Sequence, residues 1–160
     1  MNGGILPFLL LFATVGLALS LARRRAAWIA LASLLASASI ISLIPLPPAL
    51  LEPVFVGVWL SIIATAVLIY FPRLSPDRWA LPAAINAGAW AGALASLSSR
   101  QAGLVFAFPL ALLFLPGRFI VDHGHLIFLK VAASWMIAIA ALSLFVSLTP
   151  TPGYKPDHME

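Results

Sequence analysis

The feature that most constrains this chain is a series of apolar runs, free of charge except for Lys130 in the last, spread along nearly all of it. They stand at 4–22, 26–44, 53–71, 79–97, 103–117 and 126–148. A helix needs about 20 apolar residues to cross the ~30 Å hydrocarbon core of a bilayer. In water such a chain could not cover itself. Its 160 residues are 62% hydrophobic and hold only 9 Lys and Arg and 5 Asp and Glu, where a soluble domain is about 25% charged. The apolar excess must face lipid. Runs such as 5–15 do not alternate polar and apolar residues, so they do not suit the strands of a barrel. The expected fold is therefore all-α: a polytopic transmembrane helical bundle of six spans, or five if the short 103–117 run does not cross.

The boundaries follow from prolines and charges. Arg23, Arg24 and Arg25 close the first run. No positive charge precedes it and it is long, so it reads as an anchored span and not as a cleaved leader. Pro45, Pro47 and Pro48 end the second run, because proline lacks an amide hydrogen and turns the preceding residue away from helix. Glu52 and Pro53 suit the start of the third. Residues 71–78 form a polar turn and 98–101 a tight connection. Pro109 lies inside the fifth run, Pro116-Gly117 ends or bends it, and 119–125 reads as a mixed loop. The layout is one bundle over 1–148, followed by a polar, proline-rich tail, 149–160, with Pro150, Pro152 and Pro156. Too few residues remain for a folded domain outside the membrane. Trp28, Trp79 and Trp135 are placed near span ends, where indoles suit the interface.

Lys and Arg set the orientation. Six spans put Arg23, Arg24, Arg25, Arg73, Arg78, Arg118 and Lys130 on one side, against Arg100 and Lys155 on the other. Five spans give a shallower split, six against three. The steeper split places both termini outside and the arginine loops in the cytoplasm. The expected location is the inner (plasma) membrane, multi-pass, with a periplasmic or extracellular tail. The net charge of +4 is explained by cations that flank spans and meet anionic headgroups. Lys130, one turn into the last span, can snorkel to that level. Nucleic-acid binding is not expected.

Inside lipid, close packing of small residues takes over from the hydrophobic drive between helices. The fourth run is built for this, with Ala80, Ala84, Gly88, Gly92 and Ser96 at every fourth position. The Gly88–Gly92 GxxxG face is expected to pack helices, within the chain or against another membrane protein. The tail 149–160 is a second candidate for contact with a partner.

Few residues could carry chemistry. There is no cysteine, which removes thiolate catalysis, disulfides and thiolate metal sites. No ionisable group sits near the middle of any run, which argues against a buried-carboxylate proton pump. The substrate or ion pathway candidates are Glu52, the only charge over 49–70, and Asn86, the most costly polar residue inside a run. Asp122, His123 and His125 are the densest polar cluster, a candidate loop metal or polar site. A tetrahedral ion would want one more ligand, and His158 falls on the opposite side. No histidine lies within an apolar run to hold a haem, and no catalytic residue, resident metal or cofactor is assigned. The motifs G-x-S-x-G, H-E-x-x-H and G-x-x-x-x-G-K are missing.

The leading functional expectation is a non-enzymatic subunit or assembly factor of a membrane complex. The alternative is a small transporter or channel for a neutral or weakly charged solute, acting around Glu52, Asn86 and the bends at Pro82 and Pro109. A membrane enzyme on a lipid-soluble substrate, using Asp122, His123 and His125, comes third.

Overall fold

A computed structural model describes residues 5–71, 76–98 and 101–149. All regular structure among them is helical. The order is α1 (Leu6–Leu19), α2 (Arg24–Ser42), a single 3-10 turn (Pro48–Leu50), α3 (Leu51–Leu68), α4 (Pro76–Ser98), α5 (Gln101–Ala111), α6 (Phe114–Asp122) and α7 (Leu126–Leu148). Five helical stretches are long and apolar enough to cross a membrane: Arg24–Ser42, Pro48–Leu68, Pro76–Ser98, Val105–Asp122 and Leu126–Ser147. The chain is a helical membrane protein by that measure.

The first run departs from expectation. Its helix has 14 residues, about 21 Å at 1.5 Å per residue, and ends before the expected 22. It is also the most enclosed element. Phe8, Leu11, Phe12, Val15, Ala18 and Leu19 are all but fully buried, and α1 packs against α3, α4, α5, α6 and α7. A helix that is apolar all round is buried on every side; here its surroundings are other helices. α1 fills the axis of the bundle.

The fifth run is longer than expected. Helix continues through Pro116-Gly117 to Asp122, so most of the expected 119–125 loop is helical. Only His123, Gly124 and His125 turn the chain. Gly124 has φ +78, a left-handed conformation that glycine adopts without a Cβ clash. The bend falls at Leu112 and Leu113, between α5 and α6. Pro116 explains its position. Proline cannot donate to the carbonyl four residues back and its ring crowds that carbonyl. That carbonyl is Leu112's, and it accepts instead from Leu115 N at 3.0 Å, three residues on. α5 and α6 form one bent rod.

Cross-helix contacts fix the directions. Gly88 meets Leu34 and Ser37, and Gly92 meets Ala38 and Ile41, so α4 and α2 are parallel. Gly57 meets Trp90 while Asn86 bonds Ser61, so α3 and α4 are antiparallel. Gly16 lies on the carbonyls of Leu110 and Ala111, where a Cβ would come within 2.8 Å of both oxygens, and Gly117 lies on Ser20, so α1 runs parallel to the α5–α6 rod. Tyr70 Oη donates to the Lys130 carbonyl at 2.9 Å, joining the end of α3 to the start of α7. Six rods thus alternate in direction between two ends.

α2 is the outlying rod, and its extended packing is with α4. Its buried residues, Ala27, Ala30, Leu31, Leu34 and Ala38, form one stripe. α7 coincides with the expected 126–148 and is only lightly buried. Trp135 is not at a helix end. It lies nine residues into α7, about 14 Å from the start, and is 71% exposed.

Candidate functional site

The two pathway candidates lie far apart. Glu52 is exposed in the first turn of α3, where the helix dipole favours a negative charge. Asn86 lies on α4 beside Ser61, nine residues along α3 from Glu52 and so about 14 Å away. The structure does not bring them together.

Asn86 instead centres a polar cluster on one wall of the bundle. Its Nδ2 donates to Ser61 Oγ at 2.7 Å. Trp90, one turn on, donates from Nε1 to Asn86 Oδ1 at 3.1 Å. The Trp90 ring lies across α3 at Gly57, where any Cβ would collide with it. Only glycine lets the indole approach closely enough to reach Asn86 without pushing α3 away. One Asn86 N–H and one carbonyl lone pair remain unused, and the side chain is exposed. The i, i+4 spacing of Asn86 and Trp90 could have revealed their pairing; Ser61, on another helix, left no local signal.

Replacing Asn86 with leucine strands the Trp90 N–H in an apolar setting. Interhelical hydrogen bonds in membranes contribute about 0.6–2 kcal/mol. Asn86→Leu is expected to lower the unfolding midpoint in detergent by a few degrees and to shift tryptophan emission, while Asn86→Gln retains part of both. Unchanged emission and midpoint in Asn86→Leu would contradict this role.

The candidate loop cluster does not converge either. The Asp122 carboxylate lies 3.6 Å from Arg118 Nε, an i, i+4 pair on α6. The His123 ring lies tilted by 41° against Phe119 with centroids 4.1 Å apart, and its Nδ1 is 2.8 Å from the Phe119 carbonyl. His125 sits edge-on to Phe128 across the turn. Among the described residues no three His, Asp or Glu side chains gather as metal ligands do. His158 lies outside them.

This turn belongs to a cationic end. Arg118 Nη1 donates to the Ala22 carbonyl at 2.7 Å, capping the turn that ends α1. Asp77 Oδ1 accepts from Arg23 N at 2.7 Å, and Asp77 Oδ2 lies 3.3 Å from Arg23 Nε, tying the α1–α2 turn to the start of α4. Arg24, Arg25, Arg78 and Lys130 stand at the same end by their place in the helices. Among the described residues, the opposite end carries only Glu52.

The small-residue face is buried. Ala84, Gly88 and Gly92 lie at the α2–α4 contact or beside it, and Ser96 Oγ donates to the Ile44 carbonyl at 2.5 Å. In this fold the face serves a helix of the same chain.

No known protein family, curated protein or solved structure matches this chain.

Proposed function

We propose that this chain is a non-enzymatic subunit or assembly factor of a membrane complex, held in the inner membrane by six crossings. The observation that carries the proposal is the filled axis. α1 occupies the centre with Phe8, Leu11, Phe12, Val15 and Leu19 buried, so the bundle is built as a solid object and not around a passage. The rods alternate in direction, and the end holding Arg23, Arg24, Arg25, Arg78, Arg118 and Lys130 is assigned to the cytoplasm. Both termini then fall outside, with residues 1–4 and the tail beyond Thr149 outside the described residues.

Because α2 fills the Gly88–Gly92 face, the partner surface is assigned to α7. Phe128, Trp135, Leu142 and Phe145 are exposed along it. Large aromatic residues are common anchors of protein interfaces. A photo-crosslinking amino acid at Trp135 is expected to trap one discrete protein partner in cells, whereas the same group at Ile40 on α2 traps lipid. Lipid adducts alone at Trp135, Leu142 and Phe145 would overturn the assignment.

The transporter reading retains one favourable observation, the unused hydrogen-bonding capacity of Asn86 on the outer wall of α3 and α4. Its test is solute flux in proteoliposomes: that reading expects a flux that Asn86→Leu abolishes, and ours expects none above protein-free liposomes.

A further inference from the structure

The cationic end holds a recess that the subunit reading does not use. It lies between α2 and α6 and is lined by Arg24, Phe114, Leu115, Arg118, Phe119 and Asp122. Two turns of helix meet there in matching order. Arg24 and Trp28 are one turn apart on α2, and Trp28 is the one farther from the cationic end. Arg118 and Phe114 are one turn apart on α6, and Phe114 is again farther in. Trp28 sits edge-on to Phe114, with ring centroids 5.0 Å apart. The cleft therefore has a guanidinium layer at its mouth and an apolar layer one turn below, made by the exposed Trp28 and Leu115, while Phe114 is fully buried.

The charges around it are these. Arg23 is held by Asp77. Arg118 spends one N–H on the Ala22 carbonyl and has Asp122 on its far edge at 3.6 Å. Its remaining N–H groups are uncommitted, and Arg24 is exposed with no ion pair among the described residues. Arg24 and Arg118 against Asp122 leave the mouth with one net positive charge.

We infer that this cleft binds the phosphate headgroup of an anionic phospholipid, with an acyl chain lying along Trp28 and Leu115, both partly exposed. The order of layers matches such a molecule, anionic at the level where a rod leaves the membrane and apolar below it. A guanidinium presents paired donors to phosphate oxygens, and basic recesses between membrane helices hold acidic headgroups. A free phosphate would satisfy the mouth but not the apolar layer. The inference rests on the membrane reading, though not on which side the cationic end faces.

Native mass spectrometry of the detergent-purified protein tests it, with phosphatidylglycerol, phosphatidylethanolamine of the same acyl chains, or inorganic phosphate added. The expected result is retention of one phosphatidylglycerol, about fivefold or more over phosphatidylethanolamine, the effect of a basic group beside an acidic headgroup. Arg24→Gln and Arg118→Gln each reduce that preference, Trp28→Ala weakens retention of both lipids, and Arg78→Gln changes neither. Arg118→Gln also removes a cap on α1, so the exposed Arg24 carries the test if that variant does not fold. Equal retention of the two phospholipids would overturn the inference. So would undiminished preference in Arg24→Gln, or displacement of the lipid by equimolar inorganic phosphate. A chain that dissolves without detergent would instead overturn the membrane reading.

Discussion

Replacing Gly88 with leucine is expected to detach α2 from the bundle, and with it most of the folded protein recovered in mild detergent. A Cβ at Gly88 would already collide with Ser37 Oγ and the Leu34 carbonyl, and it would lie 3.1 Å from the Leu34 carbonyl carbon. Backbone cannot rotate away as a side chain can. Gly92, one turn on, has the Ala38 carbonyl at 2.5 Å, so the two rods cannot slip along each other to make room. Overpacking of a tight interior costs about 1–3 kcal/mol for small additions. Gly88→Ala is therefore expected to lower the unfolding midpoint by about 3–10 °C, and Gly88→Leu to leave little protein of native size on gel filtration. Ala64→Leu provides the control, since Ala64 is exposed on α3, and it is expected to behave as the parent. A stable, monodisperse Gly88→Leu protein would show that α2 and α4 are not in close contact.

Removing the Phe12 ring is expected to be the most damaging truncation in the chain. Phe12 is 1% exposed on α1, and α1 packs against α3, α4, α5, α6 and α7. The loss does not depend on water. In a bilayer, tight packing and dispersion hold helices together, and a cavity at the axis forfeits those contacts. Large-to-alanine changes of this kind cost about 3–5 kcal/mol in soluble cores. Phe12→Ala is expected to lower the midpoint by about 10 °C or more, whereas Phe145→Ala, which removes an exposed ring from α7, leaves it near the parent value. Equal effects of the two substitutions would place α1 among lipid-facing helices.

These two sites also show what can be read from the residues. The packing role of Gly88 and Gly92 is legible, because four-residue spacing of small side chains has one good physical use inside lipid. The identity of the helix they meet is not, since α2 presents only ordinary alanines, serines and leucines. α7 is legible to both bounds: a turn residue stands at each end and no proline interrupts it. The central place of α1 is hidden from any hydropathy argument. Lipid and protein interior are both apolar, so an apolar run does not say which of the two surrounds it. The fifth run departs from its expected bounds for a different reason. Pro116 acts on the carbonyl four residues back, so the bend lies at Leu112–Leu113 and Pro116-Gly117 itself is helical. Among the site candidates, Asp122 adjoins the histidines in sequence but pairs with Arg118, which i, i+4 spacing on a helix makes available. Ser61 and Asn86 meet only because two antiparallel rods are in register, and no local pattern encodes that.

The claim beneath all of this is that α1 is shielded by its own chain while α7 faces outward, although both are apolar. A lipid-partitioning carbene label, photolysed in liposomes and mapped by peptide mass spectrometry on the unmodified protein, measures that difference directly. Heavy labelling over Leu126–Leu148 with almost none over Leu6–Leu19 is the expected result. Labelling of Leu6–Leu19 as dense as that of Leu126–Leu148 would contradict it.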